Sequence, residues 1–175
     1  MAKFLDMEII FTPALNTELN VALNFFKLAS RALGEKKVNQ WKYWTDPPEE
    51  KGQWVREGFE NGEFYFVSNT NGDKIAMFRL LKKDTLYWGK KGEEFNVRYV
   101  HSLVVPPQYS GKGIGKAVVH KIIEQLKAEK IHKFRLDCDS SNKRLCQYYE
   151  SYGFVKVGLK TTKFSVNNLY EMSLN

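Results

Sequence analysis

The chain has 175 residues, of which 43% are hydrophobic and 14% aromatic, and its formal net charge is +7. This composition excludes a disordered chain, because disordered segments lack the aliphatic and aromatic side chains that build a core. The length predicts one globular domain over residues 1–175. No apolar run approaches the roughly 20 residues that span a bilayer, and the first residues do not resemble a secretory signal. We therefore expect a soluble, cytoplasmic protein that does not bind a membrane.

The basic charge is distributed along the whole chain. Lysines recur throughout the sequence and do not form one arm or one basic stripe, so we do not expect nucleic-acid binding. The cysteines, Cys138 and Cys146, lack the spacing of a metal-binding motif, and no metal site is predicted. Both are expected to be buried thiols in a reducing compartment.

The spacing of apolar residues predicts strands and helices in the first half of the chain. The strands are expected at 7–12, 64–68 and 74–81, and the helices from Asn16 to Leu33 and from Glu49 to Phe59. The strands at 64–68 and 74–81 flank Asn71-Gly72-Asp73, a turn sequence that favours positive φ and predicts a hairpin.

In the second half, the same reasoning predicts a loop with a short strand around Tyr87-Trp88, followed by alternating strands and helices. Strands are expected at 97–105, 133–139, 154–160 and 166–174, with helices at 113–129 and 142–152. The expected fold is mixed α/β, a central mixed sheet of about six to seven strands flanked by about four helices.

Residues 106–119 read PPQYSGKGIGKAVV, with Gly111, Gly113 and Gly115 at the start of a predicted helix. Glycine allows a tight turn and a close approach of the backbone to another group. A helix start also offers unpaired N–H groups and a positive dipole end. Together these features favour binding of a phosphate or pyrophosphate.

Two common phosphate-binding loops do not fit this segment. A Walker A loop would need glycine at 110 and Ser or Thr at 117, where the chain has Ser110 and Ala117. A Rossmann fingerprint would need glycine at 116, or Gly or Ala at 118, where Lys116 and Val118 stand. Both loops fail at the positions that define them.

Two linked motifs in 100–154 resemble the acetyl-CoA-binding half of the GNAT family of N-acetyltransferases. The first is a strand followed by the glycine loop, in which Gly113 and Gly115 match the last two positions of the family's motif. The second consists of Asn142, Tyr149 and Gly153-Phe154 at the family's spacing. The resemblance implies an acetyl-CoA-binding part over about 97–155 and a variable acceptor-binding part over about 1–70.

The resemblance also implies which residues hold the cofactor, acetyl-CoA. Backbone N–H groups of the loop would bind the pyrophosphate, with charged side chains nearby, and the strand before the loop would pair with the pantetheine arm. The family's Arg or Gln falls on Ser110, which removes a long polar side chain. The implied cofactor-binding residues are Leu103, Val104, Val105, Ser110, Gly111, Lys112, Gly113, Ile114, Gly115, Lys116, Asn142, Arg144 and Tyr149.

The implied reaction is transfer of an acetyl group to a primary amine by direct attack in a ternary complex. Tyr149 matches the family's thiolate-protonating tyrosine, and the Val104 N–H is expected to point at the thioester oxygen. His101 is the candidate general base, because it precedes Leu103 by two on one strand and shares its face, barring a bulge. A structural role for His101 and a packing role for Tyr149 are the alternatives.

The acceptor is expected to be a small-molecule or peptide amine. Trp41 and Trp44 are candidates for an aromatic wall over it, with core packing as the alternative. Asp137 and Asp139 could attract its charge or simply end a strand. A homodimer is one option that the resemblance leaves open. The alternative function is a non-catalytic module that binds CoA, favoured by Ser110 and opposed by Tyr149.

Overall fold

The structure is a computed structural model that describes residues 7–38 and 41–174. These residues contain seven strands and five α-helices, so the mixed α/β fold predicted from the sequence is confirmed. The strands are β1 (Ile10–Pro13), β2 (Phe64–Ser68), β3 (Lys74–Leu81), β4 (Val97–Val104), β5 (Lys133–Asp139), β6 (Val155–Thr161) and β7 (Val166–Ser173). The helices are α1 (Leu19–Glu35), α2 (Glu49–Glu60), α3 (Thr85–Trp88), α4 (Ile114–Ala128) and α5 (Lys143–Ser151).

The described residues separate into two compact units. The first unit contains the described part of 7–79 together with 102–121, and the second contains 80–101 together with 122–174. The boundary passes through β3, β4 and α4, so each unit draws on more than one part of the chain.

In the first unit, β1, β2 and β3 form antiparallel pairs. β1 pairs with β2 from Ile10↔Ser68 to Pro13↔Tyr65, and β2 pairs with β3 from Phe64↔Arg79. The β2–β3 turn is the predicted one, since Gly72 has a φ of 85° and Asn69 Oδ1 accepts the N–H groups of Asn71 and Asp73 at 3.0 and 2.9 Å. The hairpin prediction is therefore confirmed.

The core of the first unit is rich in aromatic side chains. The rings of Phe26 and Trp44 stack at 3.9 Å, and the rings of Phe59 and Phe64 stack at 4.9 Å. The N-terminal helices α1 and α2 contribute the apolar stripe that their spacing predicts. The buried cluster contains Ala22, Phe25, Phe26, Ala29, Trp44, Val55, Phe59, Phe64, Phe66, Met77 and Val104.

In the second unit, the strands are ordered β4-β5-β7-β6. β4 and β5 are parallel from Val97↔Lys133 to Val100↔Leu136, whereas β5–β7 and β7–β6 are antiparallel. A buried arginine joins three of its segments: Arg135 on β5 donates to Glu171 and Glu94, each at 2.8 Å, and to the Tyr99 hydroxyl at 2.9 Å. Each of the three guanidinium nitrogens donates at least one hydrogen bond, which accounts for a charge at 1% exposure.

The short strand predicted around Tyr87-Trp88 is wrong. These residues belong to α3, because Asp84 Oδ1 accepts the Tyr87 N–H at 3.2 Å and so caps the helix start. The helix ends at Gly89, which has a φ of 55°. Local capping therefore overrides the β propensity of the two aromatic residues.

Candidate active site

The glycine loop has the local geometry of a phosphate cradle. Gly111 and Gly113 both have a φ of 76°, in the left-handed region that glycine adopts without strain. α4 begins directly after them at Ile114, so its first N–H groups have no partner within the helix. A Cβ at Gly115 would meet no heavy atom within 4 Å, so space is open beside this helix start.

Other predicted cofactor residues lie next to this loop in the first unit. Val104 is buried at 1% exposure, whereas Leu103 and Val105 are half-buried. Ser110 and Lys112 are exposed, and the Lys112 ammonium lies 5.7 Å from the Tyr109 ring centroid. The exposed residues Ser110 and Lys112 lie in a loop that also carries positive charge, a combination that suits binding of a polyanion.

In β4, the strand that leads to the loop, the alternation of side chains is interrupted. Ser102 has a φ of 54°, a conformation that non-glycine residues rarely adopt. This positive φ breaks the regular alternation of side chains that the sequence argument assumes, so His101 and Leu103 need not share a face.

Tyr149 lies on α5 in the second unit and is 8% exposed. Its ring contacts the rings of Tyr148, Phe154 and Tyr170, at centroid distances of 5.3, 5.8 and 6.3 Å. Burial is the main reason that the pKa of Tyr149 is raised above its usual value, and the nearby Cys138 adds to the effect. The phenol therefore keeps its proton at neutral pH, as a proton donor must.

Asn142 and Arg144 stand at the start of the same helix. Asn142 is the N-cap, and its Oδ1 accepts the Leu145 N–H at 3.1 Å. This cap fixes the first turn of α5 and, through it, the orientation of Tyr149 two turns later. Arg144 is exposed, so its guanidinium is accessible to an anion.

His101 has a setting that does not suit a general base. Its Nε2 lies 2.8 Å from Asp84 Oδ2, and its Nδ1 lies 3.1 Å from Asp137 Oδ1. Burial alone would lower the pKa of His101, but ion pairing with Asp137 and then Asp84 outweighs it and raises the pKa to about 10. The ring is an imidazolium at neutral pH and has no lone pair for an incoming proton. These contacts favour the structural role that is the alternative for His101.

The acceptor candidates have other partners in the structure. Trp44 is 4% exposed and stacked on Phe26, so its ring is part of the core, and Trp41 packs against the same cluster. Asp137 pairs with His101 and accepts the Asn167 Nδ2 at 2.6 Å. Asp139 accepts the N–H and the hydroxyl of Ser141. The contacts of Trp41 and Trp44 are those of core packing, which is the alternative given for these two residues.

Sequence reasoning overlooked two members of the cluster around His101. Asp84 had a detectable signal, because an aspartate three residues before Tyr87 fits an N-cap. Asn167 had none: it reads as one polar residue in the strand VNNLYEMS, and only the strand pairing places it beside β5.

Among residues 7–38 and 41–174, no helix is long and apolar enough to cross a membrane. Within the same described ranges, no group of His, Cys, Asp and Glu side chains is arranged to hold a metal ion.

The comparisons with known proteins agree with this architecture. Residues 36–154 match the family model described as the acetyltransferase (GNAT) family. A curated relative, an uncharacterized N-acetyltransferase of Methanocaldococcus jannaschii, is 26% identical over 118 residues, which are 67% of this chain and 47% of that protein. The chain thus spans about half the length of the curated relative it matches.

Two solved structures share the fold over 95% of both chains. An acetyltransferase of the GNAT family from Listeria monocytogenes superposes with a TM-score of 0.77 at 22% identity. The aminoglycoside acetyltransferase AAC(6')-Ib, in complex with coenzyme A, superposes with a TM-score of 0.70 at 19% identity. At these identities the likeness shows the fold.

The family match covers well over half of the chain, so the protein belongs to the GNAT family of acetyltransferases. The resemblance found in the sequence is confirmed, and with it the class of acyltransferase to which the family's members belong.

Proposed function

We propose that this protein transfers an acetyl group from acetyl-CoA to a primary amine, by direct attack of the amine in a ternary complex. The observation that carries the proposal is the loop at the start of α4, where Gly111 and Gly113 are left-handed and Gly115 leaves open space. A CoA-bound relative of the same fold supports the choice of ligand.

We assign the loop to the pyrophosphate of the cofactor. The backbone N–H groups from Gly111 to Lys116 would donate to phosphate oxygens, because four N–H groups at a helix start have no helical acceptor. Lys112, Lys116 and Arg144 add positive charge, and Ser110 contributes only a short hydroxyl. Leu103, Val104 and Val105 would hold the pantetheine arm through backbone hydrogen bonds, as an added strand does.

The bound cofactor supplies an acetyl thioester, and the remaining chemistry falls to side chains and backbone. The Val104 N–H is proposed to donate toward the thioester oxygen, where negative charge develops. Tyr149 is proposed to deliver its phenolic proton to the departing sulfur. Burial raises the pKa of Tyr149, so its phenol carries the proton at neutral pH.

We propose that the amine loses its proton to water. His101 retains its own proton between Asp84 and Asp137, so it does not fill this role. A small-molecule or peptide amine is the proposed acceptor, in keeping with the aminoglycoside named for one relative. We place the reaction in the cytoplasm, because the free thiols Cys138 and Cys146 suit a reducing compartment. A homodimer is compatible with this proposal.

The proposal is tested by measuring release of free thiol from acetyl-CoA with a panel of amines. The panel should include aminoglycosides, polyamines and peptides with a free N-terminus. Thiol release that rises with amine concentration, with acetylated amine found by mass spectrometry, is the expected result. Acetyl-CoA binding without amine-dependent release would instead identify a non-catalytic CoA-binding module.

A further inference from the structure

The side chain of His101 is held between two carboxylates that come from different segments of the second unit. Asp84 lies in the loop before α3, at 2.8 Å from Nε2, and Asp137 lies on β5, at 3.1 Å from Nδ1. The side chains of all three residues are at most 9% exposed. Asp137 Oδ1 receives no well-aligned hydrogen bond from a described residue, so the imidazolium charge is what compensates it.

Both carboxylates are themselves anchored. Asp84 caps α3 through the Tyr87 N–H, and its own N–H donates to the Gly92 carbonyl at 3.0 Å. Asp137 Oδ2 accepts the Asn167 amide of β7 at 2.6 Å. The Tyr87 ring packs on the imidazole with centroids 4.9 Å apart. The cluster therefore ties β4 to the loop before α3, to β5 and to β7.

The cluster lies where the backbone pairing between β4 and β5 ends. The register between β4 and β5 runs from Val97↔Lys133 to Val100↔Leu136. The next two residues, His101 and Asp137, are joined by an ion pair of their side chains. Directly after His101, Ser102 takes a φ of 54°. A side-chain ion pair thus follows the last backbone pair between β4 and β5 and directly precedes the left-handed residue Ser102.

We infer that His101 is a positioning residue, a buried imidazolium that clamps the end of β4 to Asp84 and Asp137 and so fixes the backbone of Ser102–Val104. The clamp itself is independent of the proposed function. Its benefit to acetyl-CoA binding rests on that function, because Leu103 and Val104 are assigned to the pantetheine arm.

The electrostatics of the cluster favour this role over proton transfer. Two buried carboxylates without a cation are costly, whereas one imidazolium placed between them compensates negative charge on both sides. A relay histidine needs one nitrogen free and a pKa near the working pH. Asp84 and Asp137 face the ring from their two segments, with the phenol of Tyr87 on α3 as the other titratable neighbour.

The first test is an NMR titration of the imidazole signals in the folded wild type, with the chain unfolded in urea as reference. The expected result is that His101 keeps its proton from pH 6 to about 9, while the unfolded reference loses it near about 6.5. A folded His101 that titrates near the reference value would overturn the clamp and restore His101 as a candidate base.

The second test is amide hydrogen exchange in His101→Gln, with His132→Gln as control because His132 is exposed and outside the cluster. Amides of Ser102–Val104 should exchange at least about tenfold faster in His101→Gln and unchanged in the control. Adding Asp84→Asn, which keeps the helix cap, should recover part of the loss by removing one uncompensated charge. If His101→Gln alone does not fold, the exchange measurement is made on the double variant that also carries Asp84→Asn.

Unchanged exchange in a folded His101→Gln variant would contradict the inference. The link to the cofactor is read separately by calorimetry: His101→Gln should bind acetyl-CoA about tenfold more weakly, with partial rescue by Asp84→Asn. Failure of the wild type to bind acetyl-CoA would refute the proposed function, while the titration and exchange results would still decide the clamp.

Discussion

The guanidinium of Arg79 occupies the space that a side chain at Gly58 would fill. A Cβ at this glycine would lie 2.7 Å from Arg79 Nε and 2.5 Å from Phe64 Cε2. Arg79 cannot easily move, because it donates to Glu63 Oε2 at 2.6 and 2.9 Å and to the Trp54 carbonyl at 2.7 Å. Its guanidinium also stacks 4.1 Å from the Trp54 ring centroid.

Gly58→Ala should therefore destabilise the protein by about 1–3 kcal/mol, although alanine is the better helix former. Gly34→Ala is the matched control, since Gly34 also lies in a helix and a Cβ there meets nothing within 4 Å. It should stabilise the protein by about 0.4–1 kcal/mol. The free energies of unfolding of both variants are measured by urea denaturation. Equal changes in the two variants would show that the Arg79 guanidinium moves aside for the new methyl group.

The stabilising effect of the His101 cluster should depend on pH. The pKa of His101 in the folded state is about 10. An unfolded histidine has a pKa of roughly 6.5, so His101 holds its proton more tightly in the folded chain. The contribution is therefore full below pH about 6.5 and falls as the pH rises toward 10. The measured quantity is the difference in unfolding free energy between wild type and His101→Gln, which should shrink over this range. A difference that grows with pH would contradict the ion-pair geometry.

Tyr149→Phe should lower turnover by about 100-fold or more, because a general acid contributes a factor of that size. Affinity for acetyl-CoA should change little, since the ring and its aromatic contacts remain. Tyr148→Phe is a control at the adjacent position: its hydroxyl is buried and has no hydrogen-bond partner among the described residues. Its removal should leave turnover intact. Equal losses of rate and affinity in Tyr149→Phe would indicate that Tyr149 only packs.

Cys138 should react slowly with thiol reagents. Burial is the main cause that raises the pKa of its thiol, and the neighbouring Cys146, whose Sγ lies 3.4 Å away, adds to the effect. In a Cys146→Ser variant, Cys138 should label at least about 100-fold more slowly in the folded than in the unfolded chain. Comparable rates would mean that this part of β5 opens freely.

Much of the fold follows from local sequence. The helices at 19–35 and 49–60 have an apolar stripe, and Asn71-Gly72 has the backbone preference of a hairpin turn. The glycine loop was predictable for the same reason, since its chemistry resides in a short stretch of backbone. Two motifs at the right spacing then identified the family.

The partners of His101 were not predictable in this way. Asp84 belongs to a segment read as a loop, and its contact with His101 on β4 joins residues 17 positions apart in the sequence. The left-handed Ser102 is a non-glycine residue and carries no sequence signal. Ion pairs between distant segments depend on tertiary packing, so the sequence placed His101 on a strand without revealing its partners Asp84 and Asp137.

Binding of the cofactor's pyrophosphate by the glycine loop is tested most directly by calorimetric titration of acetyl-CoA into the wild type and into Gly115→Glu. A side chain at Gly115 meets open space and needs no unusual φ, so the variant should fold normally, and its carboxylate would repel phosphate. Gly34→Glu serves as control for the charge. We expect acetyl-CoA to bind the wild type and the Gly34→Glu control but not Gly115→Glu. Undiminished binding by folded Gly115→Glu would contradict it.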